Sequence, residues 1–247
     1  MRRRELMLLL GSAMTAARAP RAQQKAMPVI GYLSSTSPGP YLAMYRQALS
    51  EMGYAEGQNL AIEYRWAEGR TDRLPALAAD LVDRKVDLIA AFGGIDSARA
   101  AKKATSIIPI VFLIGTDPVA DGLVVSFTRP GGNLTGVTLL LEALYAKRLE
   151  LLSELVSQAR VIALLVNPSG MATEGVIREV QEAARARRLQ LHIWKADSEA
   201  EIDAAFVSLV QQRANALLVS ANPFFDTHRD QLLALAAPCS SCDVRMA

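Results

Sequence analysis

Apolar runs of four to six residues recur along this chain, and each closes on a polar or glycine turn. Val29–Leu33 leads into Ser34, Ser35, Thr36 and Ser37, Leu88–Phe92 into Gly93 and Gly94, and Ile110–Ile114 into Gly115, Thr116 and Asp117. Val161–Val166 leads into Asn167, Pro168 and Ser169, and Ala216–Val219 into Ser220, Ala221, Asn222 and Pro223. Short continuous Val/Ile/Leu runs are the pattern of strands buried on both faces. Between them lie segments of helical period. Leu74, Leu77, Leu81 and Val82 make one stripe, and Leu144, Leu151, Leu152 and Leu155 another. Val176, Val180 and Ala184, then Ile202, Phe206 and Leu209, continue the series. Strand–helix alternation predicts an α/β fold of doubly wound parallel sheets with right-handed crossovers. In such sheets ligands bind beyond the carboxyl ends of the strands, which is where this chain places its hydrogen-bonding turns.

The predicted elements fall into two similar halves. The first has strands at Pro28–Leu33, Leu60–Trp66, Asp87–Phe92 and Ile107–Ile114. Its helices are Tyr41–Met52, stopped by Gly53, then one capped by Thr71 or Asp72, then Ser97–Thr105. Residues 118–137 break the rhythm, and Arg129-Pro130-Gly131-Gly132-Asn133 is the strongest breaker cluster in the chain. The expected division is a lobe over residues 28–118, a crossover or hinge over 119–133 and a second lobe over 134–237. The second lobe is expected to open with a strand at Leu134–Leu139 and a helix at Glu142–Val156. Strands at Val161–Val166, Leu189–Trp194 and Asn215–Val219 alternate with helices at Ala172–Arg188 and Glu199–Gln212, and a last helix begins at His228–Ala237. From Pro238 the periodicity stops. Residues 238–247 read as an aberrant tail that leaves the second lobe incomplete, short of at least one strand. The break is that of a frameshifted or truncated reading frame, or else of a naturally shortened variant.

Charge and chemistry narrow the function. Net charge is +2 over 247 residues with the basic side chains scattered along helices, so no nucleic-acid surface is indicated. The exception is the start, where Arg2, Arg3 and Arg4 precede a short apolar stretch, Leu6–Ala17, and then small residues. Residues 1–22 therefore read as a signal peptide, too short to span a bilayer and leading to the periplasm by the Sec or the Tat route. An N-terminal helix that is never removed is the alternative. His192 and His228 have no Ser or Cys motif tied to them. Gly93-Gly94 and Gly131-Gly132 lack a phosphate-binding pattern, and no metal-ligand spacing occurs. Cys239 and Cys242 have redox-motif spacing but trail a helix instead of opening one, where a thiolate would be stabilised. No catalytic residues, no cofactor and no metal are expected.

Several segments carry a family resemblance. They are Arg3-Arg4-Glu5 with Ala22-Gln23-Gln24, Ile30-Gly31-Tyr32-Leu33-Ser34, and Gly53-Tyr54-Ala55-Glu56-Gly57-Gln58-Asn59-Leu60. Glu63-Tyr64-Arg65-Trp66-Ala67, Pro109-Ile110-Val111-Phe112, Asp117-Pro118-Val119-Ala120 and Arg129-Pro130-Gly131-Gly132-Asn133-Leu134-Thr135-Gly136 agree with them. Over about residues 1–237 the chain resembles the ABC transporter substrate-binding family of type I periplasmic binding proteins. The resemblance implies two lobes around a cleft, a small polar solute such as an amino acid, and delivery to an ABC permease by a monomeric, exported protein. Some members are thought to bind aromatic amino acids. A two-lobe sensor passing occupancy to a signalling partner is the alternative, and a small-molecule enzyme on the same scaffold a third. The chain departs from the family in its tail and in having no lipobox cysteine near the signal.

Solute capture needs opposed hydrogen bonds and an apolar wall. In the first lobe the candidates are Ser34 and Ser35, with Tyr41 as an aromatic wall. Gly93 and Gly94 allow close backbone approach, and Asp117 could pair with a solute ammonium. Each also has a purely structural role open to it: a helix cap for the serines, a tight turn for the glycines, a turn initiator for Asp117. In the second lobe Asn167 and Asn222 occupy equivalent strand ends, and each precedes a proline.

Overall fold

The computed structural model describes residues 27–141, 144–170, 172–237 and 245–246. The expected signal peptide, residues 1–22, and most of the expected tail lie outside the described residues.

Strands β1 (Val29–Ser34), β2 (Ala61–Trp66), β3 (Leu88–Phe92), β4 (Ile110–Ile114) and β5 (Leu134–Thr138) form one all-parallel sheet in the order β2-β1-β3-β4-β5. Helices α1 (Pro40–Glu51), α2 (Leu74–Asp83) and α3 (Ile95–Ala104) connect its first four strands. The second sheet contains β6 (Val161–Val166), β7 (Gln190–Lys195), β8 (Ala216–Val219) and β9 (Arg245–Met246) in the order β7-β6-β8-β9, again all parallel. Its helices are α4 (Tyr145–Leu155), α5 (Thr173–Ala186), α6 (Glu199–Gln211), the single turn and a half α7 (Pro223–Thr227) and α8 (Arg229–Ala236). Among the described residues no helix is long and apolar enough to cross a membrane.

The continuous apolar runs are explained by what covers them. On β6, Ile162, Leu164 and Val166 pack with Tyr145, Leu149, Leu152 and Val180 of α4 and α5. The alternate residues Ala163 and Leu165 pack on the other face with Ile202, Phe206, Leu209 and Leu232 of α6 and α8. Both faces are dry, so alternation vanishes. The first sheet differs. One face buries Leu33, Ile89, Ala91, Ile110 and Phe112 under α2 and α3. So close is that packing that a Cβ on Gly31 would lie 2.9 Å from both Leu81 methyls. The opposite face carries Tyr32, Tyr64, Trp66 and Phe92, with Tyr32 stacked on Phe92 at 5.2 Å and tilted against Trp66 at 5.1 Å. Helix α1 lays Tyr45 against this cluster, 5.4 Å from Tyr32.

Several expectations need correction. The boundary between the lobes does not fall at residues 119–133, and Leu134 does not open the second lobe. β5 adds to the first sheet, with Ile110 opposite Leu134 and Ile114 opposite Thr138. The breaker cluster is a turn within the first lobe, pinned because the Asn133 amide donates to the carbonyls of Thr105 and Ile108 at 3.2 and 2.7 Å. The chain leaves the first sheet after Thr138. Thr71 and Asp72 do not cap α2. They form a single 3-10 turn before it, and Asp72 pairs with Arg70 at 2.9 Å. Helix α3 begins at Ile95, two residues earlier than expected, because Gly94 takes a positive φ of 97° and turns the chain directly off β3. On α4 the inward face is Tyr145, Leu149 and Leu152, whereas Leu144 just before it and Leu151 and Leu155 on it stay exposed. The tail was expected to hold no strand, yet Arg245–Met246 pairs with β8 opposite Ala216 and Leu217. Strand pairing uses backbone groups, so an edge accepts an extended segment of almost any composition.

Gly136 of β5 faces the backbone of β4 at close range: a Cβ there would lie 2.2 Å from the Phe112 carbonyl oxygen. Gly136→Ala is therefore expected to push β5 off the sheet edge and cost about 2–3 kcal/mol, at the upper end for overpacking. Chemical denaturation checks this, and an unchanged midpoint would show that β5 is not held this closely.

Candidate functional site

All nine strands among the described residues run parallel within their sheets, so each sheet gathers its strand ends at one edge. The two edges face each other across a cavity of about 380 Å³. This sits at the low end of the roughly 300–1,000 Å³ usual for small-molecule sites, room for one small solute. The first lobe contributes Ser34 at the end of β1 and Ser35 after it, Gly93, Gly94 and Asp96 after β3, Thr116 after β4, and the rings of Tyr32, Trp66, Phe92 and Tyr41. The second contributes Asn167, Ser169 and Thr173 around the start of α5, Ser220 and Asn222 after β8, and Tyr145, Phe224 and Asp226. A second, more polar hollow of about 450 Å³ adjoins it, sharing Ser37, Ser169, Phe224 and Thr227.

Most polar groups here are already tied to the scaffold. The Ser35 hydroxyl donates to the Gly93 carbonyl, locking the β1 turn to the β3 turn. Ser34 Oγ accepts from the Thr36 amide at 3.2 Å. Neither serine caps α1, whose N-cap is Gly39 without a side-chain bond. Asn167 Oδ1 accepts from the Ser169 amide at 2.8 Å, and its carbonyl accepts from the Thr173 hydroxyl. Asn222 Oδ1 caps α7 by accepting from the Phe224 amide at 2.9 Å. Both asparagines thus spend the carbonyl oxygen on their own turn and point a fixed amide Nδ2 elsewhere. The Tyr145 hydroxyl accepts from the Ala221 amide at 2.7 Å, which fixes the β8 turn from below. Burial pushes the phenols of Tyr32 and Tyr45 up, the latter to about 12, so this part of the aromatic face stays neutral.

Of the eight residues expected at the site, seven line the cavity, and Asp117 does not. Its Oδ1 accepts from the amides of Val119 and Ala120 at 2.8 and 3.2 Å, the bonding of a turn initiator. The acidic groups that do line it, Asp96 and Asp226, sit on helices instead of immediately at strand ends, and the strand-end rule passed over them. Thr116 and Ser220 were within reach of that rule. Tyr145, Phe224 and Trp66 carried no local signal beyond their size. The lobes also touch: the Tyr41 hydroxyl donates to Asp226 Oδ2 at 3.3 Å, and Gly94 lies beside Pro223.

Two parallel-sheet lobes with their loop-bearing edges opposed across one cavity define the type I periplasmic binding protein fold. The chain belongs to the ABC transporter substrate binding protein family, whose sequence profile matches residues 42–227. A tyrosine-binding protein of Clostridioides difficile (strain R20291) is 32% identical over 164 residues, which is 66% of this chain and 47% of that protein. The chain thus spans about half the length of that curated relative. Among solved structures, a conserved domain protein from Vibrio cholerae superposes with a TM-score of 0.75 at 23% identity, covering 90% of this chain and 74% of its own. An ABC domain from Streptococcus pneumonia in complex with L-Trp gives 0.69 at 22% identity, covering 89% and 72%. At these identities both show the fold alone.

Gly93 holds a φ of 81°, and a Cβ on it would lie within 2.8 Å of Ser34 Oγ and of the Ser35 amide and hydroxyl. Gly94 holds a φ of 97°, but the same atom would meet only Pro223 at an ordinary 3.5 Å. Gly94→Ala is expected to cost about 1–2 kcal/mol from its backbone conformation. Gly93→Ala is expected to cost about 1–3 kcal/mol more through the clash. Thermal or urea unfolding of the two variants checks the order, and equal costs would contradict the tight seam between β1 and β3.

Proposed function

We propose that this protein is the exported solute-binding component of an ABC importer and captures a small amphiphilic solute, an aromatic amino acid, between its lobes. The observation that supports this reading most is the composition of the cavity. One wall is aromatic (Tyr32, Trp66, Phe92, with Phe224 facing from the other lobe), and the rim is made of strand-end hydroxyls, amides and helix N-termini. Apolar walls with a few placed polar groups are the makeup of a small-molecule site. The N-terminus of α5 favours a solute carboxylate, and the rings receive its apolar end. The similarity to a tyrosine-binding relative supports the same class. Contact across two lobes stabilises the closed arrangement, and a permease can read that population shift. The family is one of solute-binding proteins, and no chemical step is assigned to the cavity.

The chain has two tryptophans. Trp66 lines the cavity and Trp194 does not. L-tyrosine or L-tryptophan is expected to raise the unfolding midpoint by several degrees at saturating concentration and to be recovered unchanged. L-tyrosine is also expected to change the intrinsic fluorescence of the wild type and of Trp194→Phe, but not of Trp66→Phe. A midpoint unmoved by any aromatic or aliphatic amino acid would refute this reading, and consumption of the added solute would favour an enzyme.

A further inference from the structure

Resting on that reading of the cavity, we propose that the Tyr32 hydroxyl receives a polar atom of the solute's ring, so that the cavity takes aromatic amino acids whose ring carries a hydrogen-bond donor, tyrosine and tryptophan, over phenylalanine. Among the described residues three tyrosines line the cavity. Two of their hydroxyls are engaged: Tyr41 donates to Asp226 Oδ2 at 3.3 Å, and Tyr145 accepts from the Ala221 amide at 2.7 Å. The third, on Tyr32, has no hydrogen-bond partner among the described residues, although the residue is only 2% exposed. Two side-chain oxygens in the described residues are unbonded and sealed from solvent, Ser97 Oγ and Gln231 Oε1. The Tyr32 oxygen is unbonded but not sealed, so a bound molecule can reach it.

Strand register shows where this group lies. Ser34 stands opposite Trp66 on β2 and Phe92 on β3, and all three line the cavity. Tyr32 precedes Ser34 by two residues, so it shares that face one pleat deeper, about 6.6 Å along the strand. A solute that keeps its amino-acid groups at the strand-end rim points its ring down this face toward Tyr32. The Tyr32 ring is held on four sides. It stacks on Phe92 at 5.2 Å and lies 5.1 Å from Trp66, 5.4 Å from Tyr45 and 5.7 Å from Tyr64. Its hydroxyl is thus placed before any solute arrives, and a bond to it costs little ordering. Burial among these rings keeps the phenol neutral, and a neutral phenol both donates and accepts. In an open cleft, water serves such a group. A ring that expels the water must replace the bond. A phenol O–H or an indole N–H does so. A phenyl ring leaves the hydroxyl unpaired, and that costs more than the net worth of the bond itself.

The test uses the 247-residue chain and three probes, L-tyrosine, L-tryptophan and L-phenylalanine, which share one amino-acid group, so the contribution of the rim cancels. Calorimetric titration of the wild type is expected to give L-tyrosine at least about tenfold tighter than L-phenylalanine, the scale of one buried hydrogen bond left unmade. Tyr32→Phe is expected to bring the two within about threefold, with L-tyrosine and L-tryptophan weakened and L-phenylalanine strengthened. Damage to the fold alone would weaken all three. Removing an unbonded hydroxyl is expected to leave the unfolding midpoint of the free protein unchanged or higher. A clear fall, or a variant that does not fold, would show that the hydroxyl is already bonded without solute, and would overturn the inference. It is also overturned if Tyr32→Phe keeps the discrimination, which would pass the role to another group such as the Trp66 indole N–H, likewise unbonded among the described residues. Equal wild-type affinity for L-tyrosine and L-phenylalanine overturns this inference and leaves the aromatic-solute reading standing. Binding of none of the three overturns both.

Discussion

Parallel winding is the constraint on which the rest of the molecule depends. A parallel strand pair needs a crossover, and crossovers of one hand return every strand in the same direction. Each sheet therefore has one edge where all strands end, and the turns that follow the strands lie there. Serine and threonine after β1 and β4, glycine after β3, and asparagine after β6 and β8 are scattered over some 190 positions of sequence. They become neighbours because the winding leaves them no other side. The cavity is what remains when two such edges face each other.

Dry cores make that geometry rigid. The second sheet is buried on both faces, and its turns are braced from beneath by the Tyr145 hydroxyl at Ala221 and by a guanidinium bond from Arg148 to the Val219 carbonyl at 3.2 Å. The first sheet buries one face in aliphatic packing and gives the other to an aromatic cluster that reaches into the cleft. The lobes are thus unequal in chemistry: most of the rings come from one, and the fixed asparagine amides from the other. Polar residues at the strand ends serve the scaffold first. Ser35 ties two turns together, and Asn167 and Asn222 hold their own turns through Oδ1. What is left over, a pair of amide groups and a few hydroxyls, is oriented before any solute arrives, which lowers the entropic cost of binding.

Where the sequence reading held, a local cause sufficed. Strands buried on both faces cannot alternate, so Val161–Val166 and Ala216–Val219 were plain in the apolar runs. Gly53 and the stripes on α2, α5 and α6 follow equally local rules of capping and period. Readings failed where two candidate answers had the same local pattern. Leu144, Leu151, Leu152 and Leu155 offer one helical stripe, but Tyr145, Leu149 and Leu152 offer another on a neighbouring face, and the anchoring of Tyr145 at β8 chose between them. The glycine-rich turn before Leu134 looks the same whether the next strand joins the old sheet or starts a new one. Asp117 follows a strand as a ligand-binding acid would, and also precedes a proline as a turn initiator does.

The sequence by itself determined the alternation of elements, the parallel class of both sheets and the polar character of the strand ends, because each of these follows from period and composition within about ten residues. Only the tertiary structure decided that β5 belongs to the first lobe, that the aromatic face of that lobe opens into the cleft, and that Asp226 instead of Asp117 lines the cavity. Those outcomes depend on which backbone edge is free to pair and which carboxylate finds a partner nearby, and both are settled by groups as far apart in the chain as Tyr41 and Asp226.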